Sequence, residues 1–135
     1  MKFYDAFGKE RNLKNPKKYL IDWEAGSRSK FQKRIKDFLY DYWQHDIVFE
    51  EFRIVGTRMS LDFYNANKKI AIEVQGAQHL RFVKHFHKNR LKYLQQIKRD
   101  QKKMDFCECN SIEFVEIYPK DVITASFFED QEIYL

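Results

Sequence analysis

Two runs of alternating polar and apolar residues flank a short polar turn in the sequence LDFYNANKKIAIEVQ, residues 61–75. Alternation with a period of two is typical of a β-strand that buries one face. The turn at residues 66–67 joins the two runs and predicts a β-hairpin. This hairpin is unusual because its strands carry two carboxylates, Asp62 and Glu73.

Patterns on either side extend the hairpin to an α/β fold. Ser27 and Ser29 are candidate N-caps for an amphipathic helix that ends near Gln44. Further elements are strands over 48–55, 58–65 and 68–75, a long polar helix over about 87–108, and a buried strand over 112–119. The order α-β-β-β-α-β predicts a mixed sheet flanked by helices.

The length of 135 residues suits a single domain, residues 1–135, with one core. We predict an N-terminal arm over 1–26 that is irregular or a short helix, a core over 27–119 and a C-terminal tail over 120–135. Cys107 and Cys109 are too close in sequence for an unstrained disulfide, so we expect reduced thiols. The sequence has neither a signal peptide nor a bilayer-spanning run, which favours a cytoplasmic protein without a membrane partner.

The charge balance favours a polyanionic partner such as nucleic acid. There are 25 Lys and Arg residues against 20 Asp and Glu, which gives a net charge of +5. A solvated basic surface has the same composition, so charge alone does not decide between the two interpretations. The basic side chains predicted to contact nucleic acid are Lys30, Lys33, Arg34, Arg81, Lys84 and Lys103.

Strand alternation predicts which side chains share a face. Asp62 is expected on the face of Tyr64, and Leu61 on the face of Phe63. On the next strand, Glu73 is expected on one face, and the isoleucines and the valine on the other face. We therefore expect the apolar set to face the core and the acidic set to face a cleft.

The turn sets the distance between the two carboxylates. If Asn65 pairs with Lys68, Asp62 lies opposite Ala71 and Glu73 is its diagonal neighbour, roughly 7–8 Å away at the backbone. Two carboxylates this close repel unless a cation lies between them. Mg²⁺ suits oxygen ligands, with Mn²⁺ expected to substitute for it. In the alternative interpretation, both acids are surface groups paired with neighbouring lysine or arginine.

His79 and Asp100 are further candidates for a site around the hairpin. His79 lies just beyond the third strand and could act as general acid or base, or orient a water molecule, although most loop histidines are simply solvated. Asp100 is predicted to project from its helix with the apolar side chains, where a carboxylate needs a partner. Either a supporting role in catalysis or an ion pair with Lys103 satisfies that need. The apolar residues predicted on that side are Tyr93, Ile97, Met104 and Cys107.

Asp62 followed by Glu73-Val74-Gln75 resembles the D…(D/E)xK signature of restriction-endonuclease-like nucleases, with Gln75 in the place of the lysine. The longer pattern of LDFY, IAIEVQGAQH, KRDQKKMDFC and IEFVEIYP is similar to the very-short-patch-repair-like endonucleases and the phage homing endonucleases of the EDxHD type. This resemblance covers about residues 27–119. It implies a restriction-endonuclease-like mixed sheet and Mg²⁺-dependent cleavage of double-stranded DNA.

The resemblance also implies roles for individual residues. Asp62 and Glu73 would hold the metal, His79 would manage a proton or the attacking water, and Asp100 would support them. The opening glutamate of the family falls at Gln32, which can ligate only through its carbonyl oxygen. The resulting candidate catalytic set is Gln32, Asp62, Glu73, Gln75, His79 and Asp100.

The expected function is that of a free-standing phage-type homing endonuclease, acting in the cytoplasm of the host cell if it is phage-encoded. Without an appended DNA-reading module, it would read its site with the catalytic domain, the arm and a second subunit of a homodimer. A Holliday-junction resolvase is one alternative, because GSRSKFQKRI resembles the opening helix of those enzymes. Another is a nucleic-acid-binding module that has lost its chemistry, which Gln32 and Gln75 favour. An RNA-directed role stays open as well.

Overall fold

A computed structural model describes the backbone of residues 1–76 and 87–135. From the first helix to the sixth strand, the order of elements is the predicted α-β-β-β-α-β, and the α/β class is confirmed. No helix among these residues is long and apolar enough to cross a membrane. The elements are β1 (Lys2–Tyr4), β2 (Glu10–Asn12), a 3₁₀ helix (Pro16–Tyr19), α1 (Lys30–Trp43), β3 (Val48–Arg53), β4 (Ser60–Asn65), β5 (Ile70–Val74), α2 (His87–Cys109), β6 (Glu113–Ile117) and α3 (Ala125–Glu129).

The main sheet has four strands in the order β3-β4-β5-β6. The first three form an antiparallel meander, whereas β6 lies parallel to β5. A parallel neighbour requires a crossover, which α2 provides. Since β4 and β5 run in opposite directions, the start of β4 and the end of β5 lie at the same end of the sheet.

Apolar side chains form two core clusters, one on each side of the sheet. The helix α1 begins after Ser29, whose side-chain oxygen accepts a hydrogen bond from the backbone N–H of Gln32 at 3.0 Å. Its apolar residues recur every three or four positions and therefore form one buried stripe. The first cluster includes Ile35, Leu39, Trp43, Phe63, Ile72 and Phe128. The second includes Phe3, Phe52, Leu61, Tyr64, Phe106 and Cys107.

The predicted register of the hairpin is wrong by two residues. Asn65 pairs with Ile70, and Phe63 pairs with Ile72. The connection has four residues rather than two, because the side chain of Asn65 accepts a hydrogen bond from the N–H of Lys68 at 2.9 Å and Lys69 takes a left-handed φ of 54°. A shift of two preserves the faces but brings Asp62 level with Glu73 instead of Ala71.

Alternation along β4 is interrupted at Asp62. Leu61 belongs to the same core cluster as Tyr64, whereas Phe63 belongs to the other one, so the predicted grouping of Leu61 with Phe63 is wrong. The interruption lies beside Glu51 of β3, whose φ of 52° is in the left-handed region. The local geometry of these strands therefore departs from a regular pleat where the acidic residues lie.

Both ends of the chain pack against the core. The arm over 1–26, predicted as irregular or a short helix, contains the strands β1 and β2 and a 3₁₀ helix. The ring of Phe3 in β1 lies 5.8 Å from that of Phe52 and 5.4 Å from that of Phe106. At the other end, Phe128 and Ile133 are buried. Cys107 and Cys109 are both free thiols, as expected.

The β1–β2 hairpin offers a matched test of this packing. Phe3 is 6% exposed and Phe7, at the tip of the same hairpin, is 95% exposed. We expect Phe3→Ala to lower the free energy of unfolding by about 3 kcal/mol, because it leaves a cavity among aromatic rings. Phe7→Ala should change it by less than about 0.5 kcal/mol. Urea denaturation measures both, and equal effects would contradict an integrated hairpin.

Candidate functional site

A polar cleft of about 730 Å³ opens at the end of the sheet where β4 begins and β5 ends. Its walls come from the start of α1, the turn between β3 and β4, the two central strands and the middle of α2. Acidic groups lie at its base and basic groups around it. The residues that line it include Arg28, Gln32, Arg58, Ser60, Asp62, Glu73, Gln75, Gln96, Arg99 and Lys103.

Asp62 and Glu73 lie opposite each other in this cleft and are only 4% and 5% exposed. Their side chains join the two strands at this level. Glu73 Oε2 accepts a hydrogen bond from the backbone N–H of Asp62 at 3.3 Å, and Asp62 Oδ2 accepts one from the N–H of Val74 at 2.7 Å. Carboxylates thus satisfy buried N–H groups that carbonyl oxygens satisfy in a regular ladder.

Two basic side chains compensate the buried carboxylates. Arg28 Nη2 lies 3.4 Å from Asp62 Oδ1, and Lys103 Nζ forms an ion pair with Glu73 Oε1. The alternative interpretation expected lysine or arginine partners at the hairpin itself. Lys68 instead pairs with Asp46 at 3.2 Å, at the opposite end of the strands.

The pKa values of both carboxyl groups are raised. Burial raises the pKa of Asp62 to about 6, against the hydrogen bond from Val74. Burial also raises the pKa of Glu73 to about 7, and the negative charge of Asp62 adds to the increase. The side chains of Arg28 and Lys103 therefore do not fully compensate the burial of two negative charges.

The donor set fits a hard divalent cation. Carboxylate oxygens are the ligands that Mg²⁺ prefers, and a buried pair with raised pKa values gains from any added positive charge. Among the described side chains, no three His, Cys, Asp or Glu groups stand close enough to form a metal-binding cluster as they are placed. Binding of an ion would thus require a rearrangement at the cleft, or a ligand from outside the described residues.

Gln32 lies in the cleft, at the place where the family resemblance expects an acid. It is buried, and its amide nitrogen donates to Glu50 Oε2 at 2.9 Å and to Glu51 Oε1 at 3.0 Å. Glu50 also accepts from the hydroxyl of Ser27 at 2.6 Å and from Lys36 Nζ at 2.8 Å. Gln32 is therefore part of a network that ties α1 to β3.

Gln75 is buried beside the cleft and is held by an acid of the next strand. Its amide nitrogen donates to Glu116 Oε2 at 2.9 Å, and the hydroxyl of Tyr118 donates to the same oxygen at 2.9 Å. The uncharged amide of Gln75 therefore has a hydrogen-bond acceptor in Glu116. The nearest positive charge to Glu73 comes from Lys103, which projects from α2 instead of from β5.

Asp100 is half-buried, and the amide of Gln96 donates to it at 3.1 Å. It is not one of the described cleft-lining residues, whereas its helix neighbours Gln96 and Lys103 are. The predicted apolar side of this helix is partly wrong, since Ile97 and Met104 are exposed. The side chains that this helix contributes to the cleft are polar: Gln96, Arg99 and Lys103.

The predicted nucleic-acid contacts divide into three groups. Lys103 lines the cleft, whereas Arg81 and Lys84 lie outside the described residues, as does the predicted catalytic residue His79. On α1, the remaining three lie away from the cleft. Lys30 is exposed, Lys33 bonds the carbonyl of Trp23 at 3.1 Å and Asp37 at 2.8 Å, and Arg34 lies over the ring of Phe31 at 5.2 Å.

Sequence reasoning missed several polar residues of the cleft and its network. The adjacent acids Glu50 and Glu51 were a usable signal, because one residue of any such pair in a strand packed on both faces must face a packed side. Arg28 gave no such signal, since it precedes a helix in an irregular segment. The missed residues are Arg28, Lys36, Glu50, Glu51, Arg58 and Glu116.

The raised pKa of Asp62 predicts a pH-dependent effect of Asp62→Asn. The folded state holds this proton up to about pH 6, against 3.8 for an ordinary aspartate. The stability contributed by the protonated Asp62 side chain is therefore fully present below pH 3.8 and is lost as the pH rises through about 6. At pH 8 we expect Asp62→Asn to be more stable than the wild type by on the order of 2 kcal/mol, with the gain disappearing below pH 4.

Urea denaturation between pH 4 and 8, without divalent cations, measures this difference. Asp41→Asn is the matched control, because Asp41 is an exposed residue of α1. It should leave stability nearly unchanged across the same range. A loss of stability in Asp62→Asn at pH 8 would show that the carboxylate contributes net stabilisation there.

No family model and no solved structure matches the chain. The chain is similar to the uncharacterized protein 307L of Invertebrate iridescent virus 6, with 36% identity over 59 residues. Those residues make up 44% of this chain and 30% of the viral protein, so the chain spans less than a third of its relative's length. The name of that relative carries no activity, and the similarity assigns the chain to no family.

Proposed function

We propose that the protein is a metal-dependent DNA endonuclease of the restriction-endonuclease-like superfamily, related to the phage-type homing endonucleases. The observation that carries the proposal is the pair Asp62 and Glu73, buried opposite each other at the base of a cleft with basic walls. Two buried carboxylates with raised pKa values are costly for folding alone. Such a cost is typical of functional sites.

The basic side chains at the cleft support a phosphodiester substrate. Arg28, Arg58, Arg99 and Lys103 come from three separate segments and all line the cleft. They would attract the phosphates of double-stranded DNA, while the acids at the base hold the opposite charge. A cleft of mixed charge suits a reaction in which an anion must approach carboxylates.

In this proposal Asp62 and Glu73 hold Mg²⁺, or Mn²⁺ in its place. The bound ion supplies Lewis acidity and lowers the pKa of a water molecule. Lys103 lies next to Glu73 and would stabilise negative charge that develops on the phosphate. The family resemblance assigns this role to a lysine at the position of Gln75, whose side chain is uncharged. His79 as the group that receives or donates a proton and Asp100 as a supporting residue stay predictions.

A binding module without chemistry is the second candidate. Each oxygen of Asp62 and Glu73 already has a hydrogen-bond or ion partner, as a purely structural pair would. A Holliday-junction resolvase would use the same chemistry on a different substrate. Double-stranded DNA as partner, a homodimer, and the cytoplasm of a host cell as location belong to the main proposal. The similarity to a viral protein supports only a phage or virus origin.

Cleavage of plasmid and four-way-junction DNA with Mg²⁺, Mn²⁺ or EDTA tests the proposal. We expect the wild type to cut only with metal and Asp62→Ala to be as inactive as the wild type in EDTA, because a ligand is lost. Asp41→Asn should cut like the wild type. DNA binding without metal-dependent cutting of any substrate would favour the binding module, and cutting of junctions alone would favour the resolvase.

Lys103→Met tests the role of the lysine next to Glu73. Loss of a charge that stabilises the transition state should lower the single-turnover cleavage rate by roughly 100-fold or more, while DNA affinity should fall only by the share of one phosphate contact among several. Lys102→Met is the matched control on the same helix, because Lys102 is exposed and does not line the cleft. Equal losses in the two variants would mean that both lysines act only through general attraction of DNA.

A further inference from the structure

A third carboxylate stands at the same level of the sheet as Asp62 and Glu73. Glu50 of β3 pairs with Phe63 and Phe52 pairs with Leu61, which places Glu51 level with Asp62. The register between β4 and β5 in turn places Asp62 level with Glu73. Three adjacent strands thus carry an acid at one level, next to the cleft.

The guanidinium of Arg28 lies between two of these acids. Its Nη2 is 2.8 Å from Glu51 Oε2 and 3.4 Å from Asp62 Oδ1. The Arg28 side chain is 65% exposed and has these two ion-pair partners among the described residues. A single exposed cation therefore bridges two carboxylates, and it can leave without disturbing the core.

Gln32 adds an uncharged oxygen to the same place. The residue is almost completely buried and lines the cleft with Asp62. Its side-chain hydrogen bonds to described residues, to Glu50 and Glu51, both use the amide nitrogen. The carbonyl oxygen has no hydrogen-bond donor among the described residues. Oxygen atoms of amide side chains are among the ligands that hard cations take.

We propose that Glu51 is a third carboxylate ligand for the divalent cation, shared with Asp62, and that Arg28 is a built-in competitor for this position. The inference deepens the proposed function and rests on it for the nature of the ion. Among the described side chains no three acids form a metal-binding group as placed, so a cation shared by Glu51 and Asp62 requires that Arg28 leave the position between them. Release of Arg28 opens the space between Glu51 and Asp62.

Release also gives Arg28 a second use. The displaced guanidinium is at the wall of the cleft, where it can pair with a phosphate of the substrate in bidentate fashion. The ion and the nucleic acid then assist each other, because the ion frees Arg28 and the phosphate holds Arg28 away from the carboxylates. Such mutual assistance is positive coupling between two ligands.

Binding of Mn²⁺ and Mg²⁺ to the full chain without nucleic acid tests the inference, by calorimetry and by the shift in thermal midpoint. Arg28→Gln should bind the ions about two- to fivefold more tightly, because an exposed ion pair of up to about 1 kcal/mol no longer competes. Glu51→Gln keeps the shape and the contact with Gln32 but removes charge. It should bind them on the order of tenfold more weakly.

Two control variants remove the same charges elsewhere. Arg53→Gln and Glu129→Gln alter exposed residues away from the cleft and should leave ion affinity unchanged. Circular dichroism verifies the fold of each variant. Arg28→Ala repeats the arginine test with no polar side chain to act as a new ligand.

Unchanged affinity in Glu51→Gln, with loss of binding in Asp62→Asn, would overturn the role of Glu51. Unchanged or weaker affinity in both Arg28 variants would overturn competition, and the absence of any ion binding by the wild type would overturn the whole inference. These results are separate from cleavage. Ion binding with the expected order of variants, but no cutting of DNA, would leave this site intact and reject the nuclease.

Discussion

The cleft depends on the hydrogen bonds that the carboxylates of Asp62 and Glu73 accept across the two central strands. Each carboxylate accepts a backbone N–H of the opposite strand, so the strands are joined there by side chains. Two negative charges are thereby buried at the base of the cleft. Such charges persist in a folded protein only with compensation, and Arg28 and Lys103 provide it from opposite walls. The segment before α1 and the helix α2 thus each contribute one cation to this pair.

A second buried ion pair fixes the wall that carries Arg28. Lys36 is fully buried in α1, and its Nζ donates to Glu50 Oε1 at 2.8 Å and to the carbonyl of Ala25 at 3.0 Å. The ammonium therefore ties the helix, the strand β3 and the segment before the helix at one point. The backbone near Arg28 is held while the guanidinium stays exposed. This combination suits a side chain that exchanges partners.

Local sequence patterns predicted most of the fold, because the elements depend on short-range periodicity and capping. The helix α1 begins after the predicted cap Ser29, and the hairpin strands lie within the predicted ranges. The register failed because a left-handed Lys69 and the side chain of Asn65 lengthen the turn, and neither effect is visible in an apolar pattern. The acids Asp62 and Glu73 were found because carboxylates inside strands violate the pattern. Their partners Arg28 and Lys103 come from distant segments, and only the tertiary structure brings them together.

Gln32 and Gln75 each stand where the family resemblance expects a charged side chain. The surroundings of each glutamine lead to a different interpretation. Gln32 lies against Glu51, so negative charge is present beside it but comes from β3. Gln75 lies near Glu73, whose positive partner Lys103 comes from α2. A reacting phosphate or a bound ion responds to charge at a point in space and not to the element that supplies it. Under the proposed function, a phosphate or an ion in the cleft would therefore meet both signs of charge, the negative charge from β3 and the positive charge from α2.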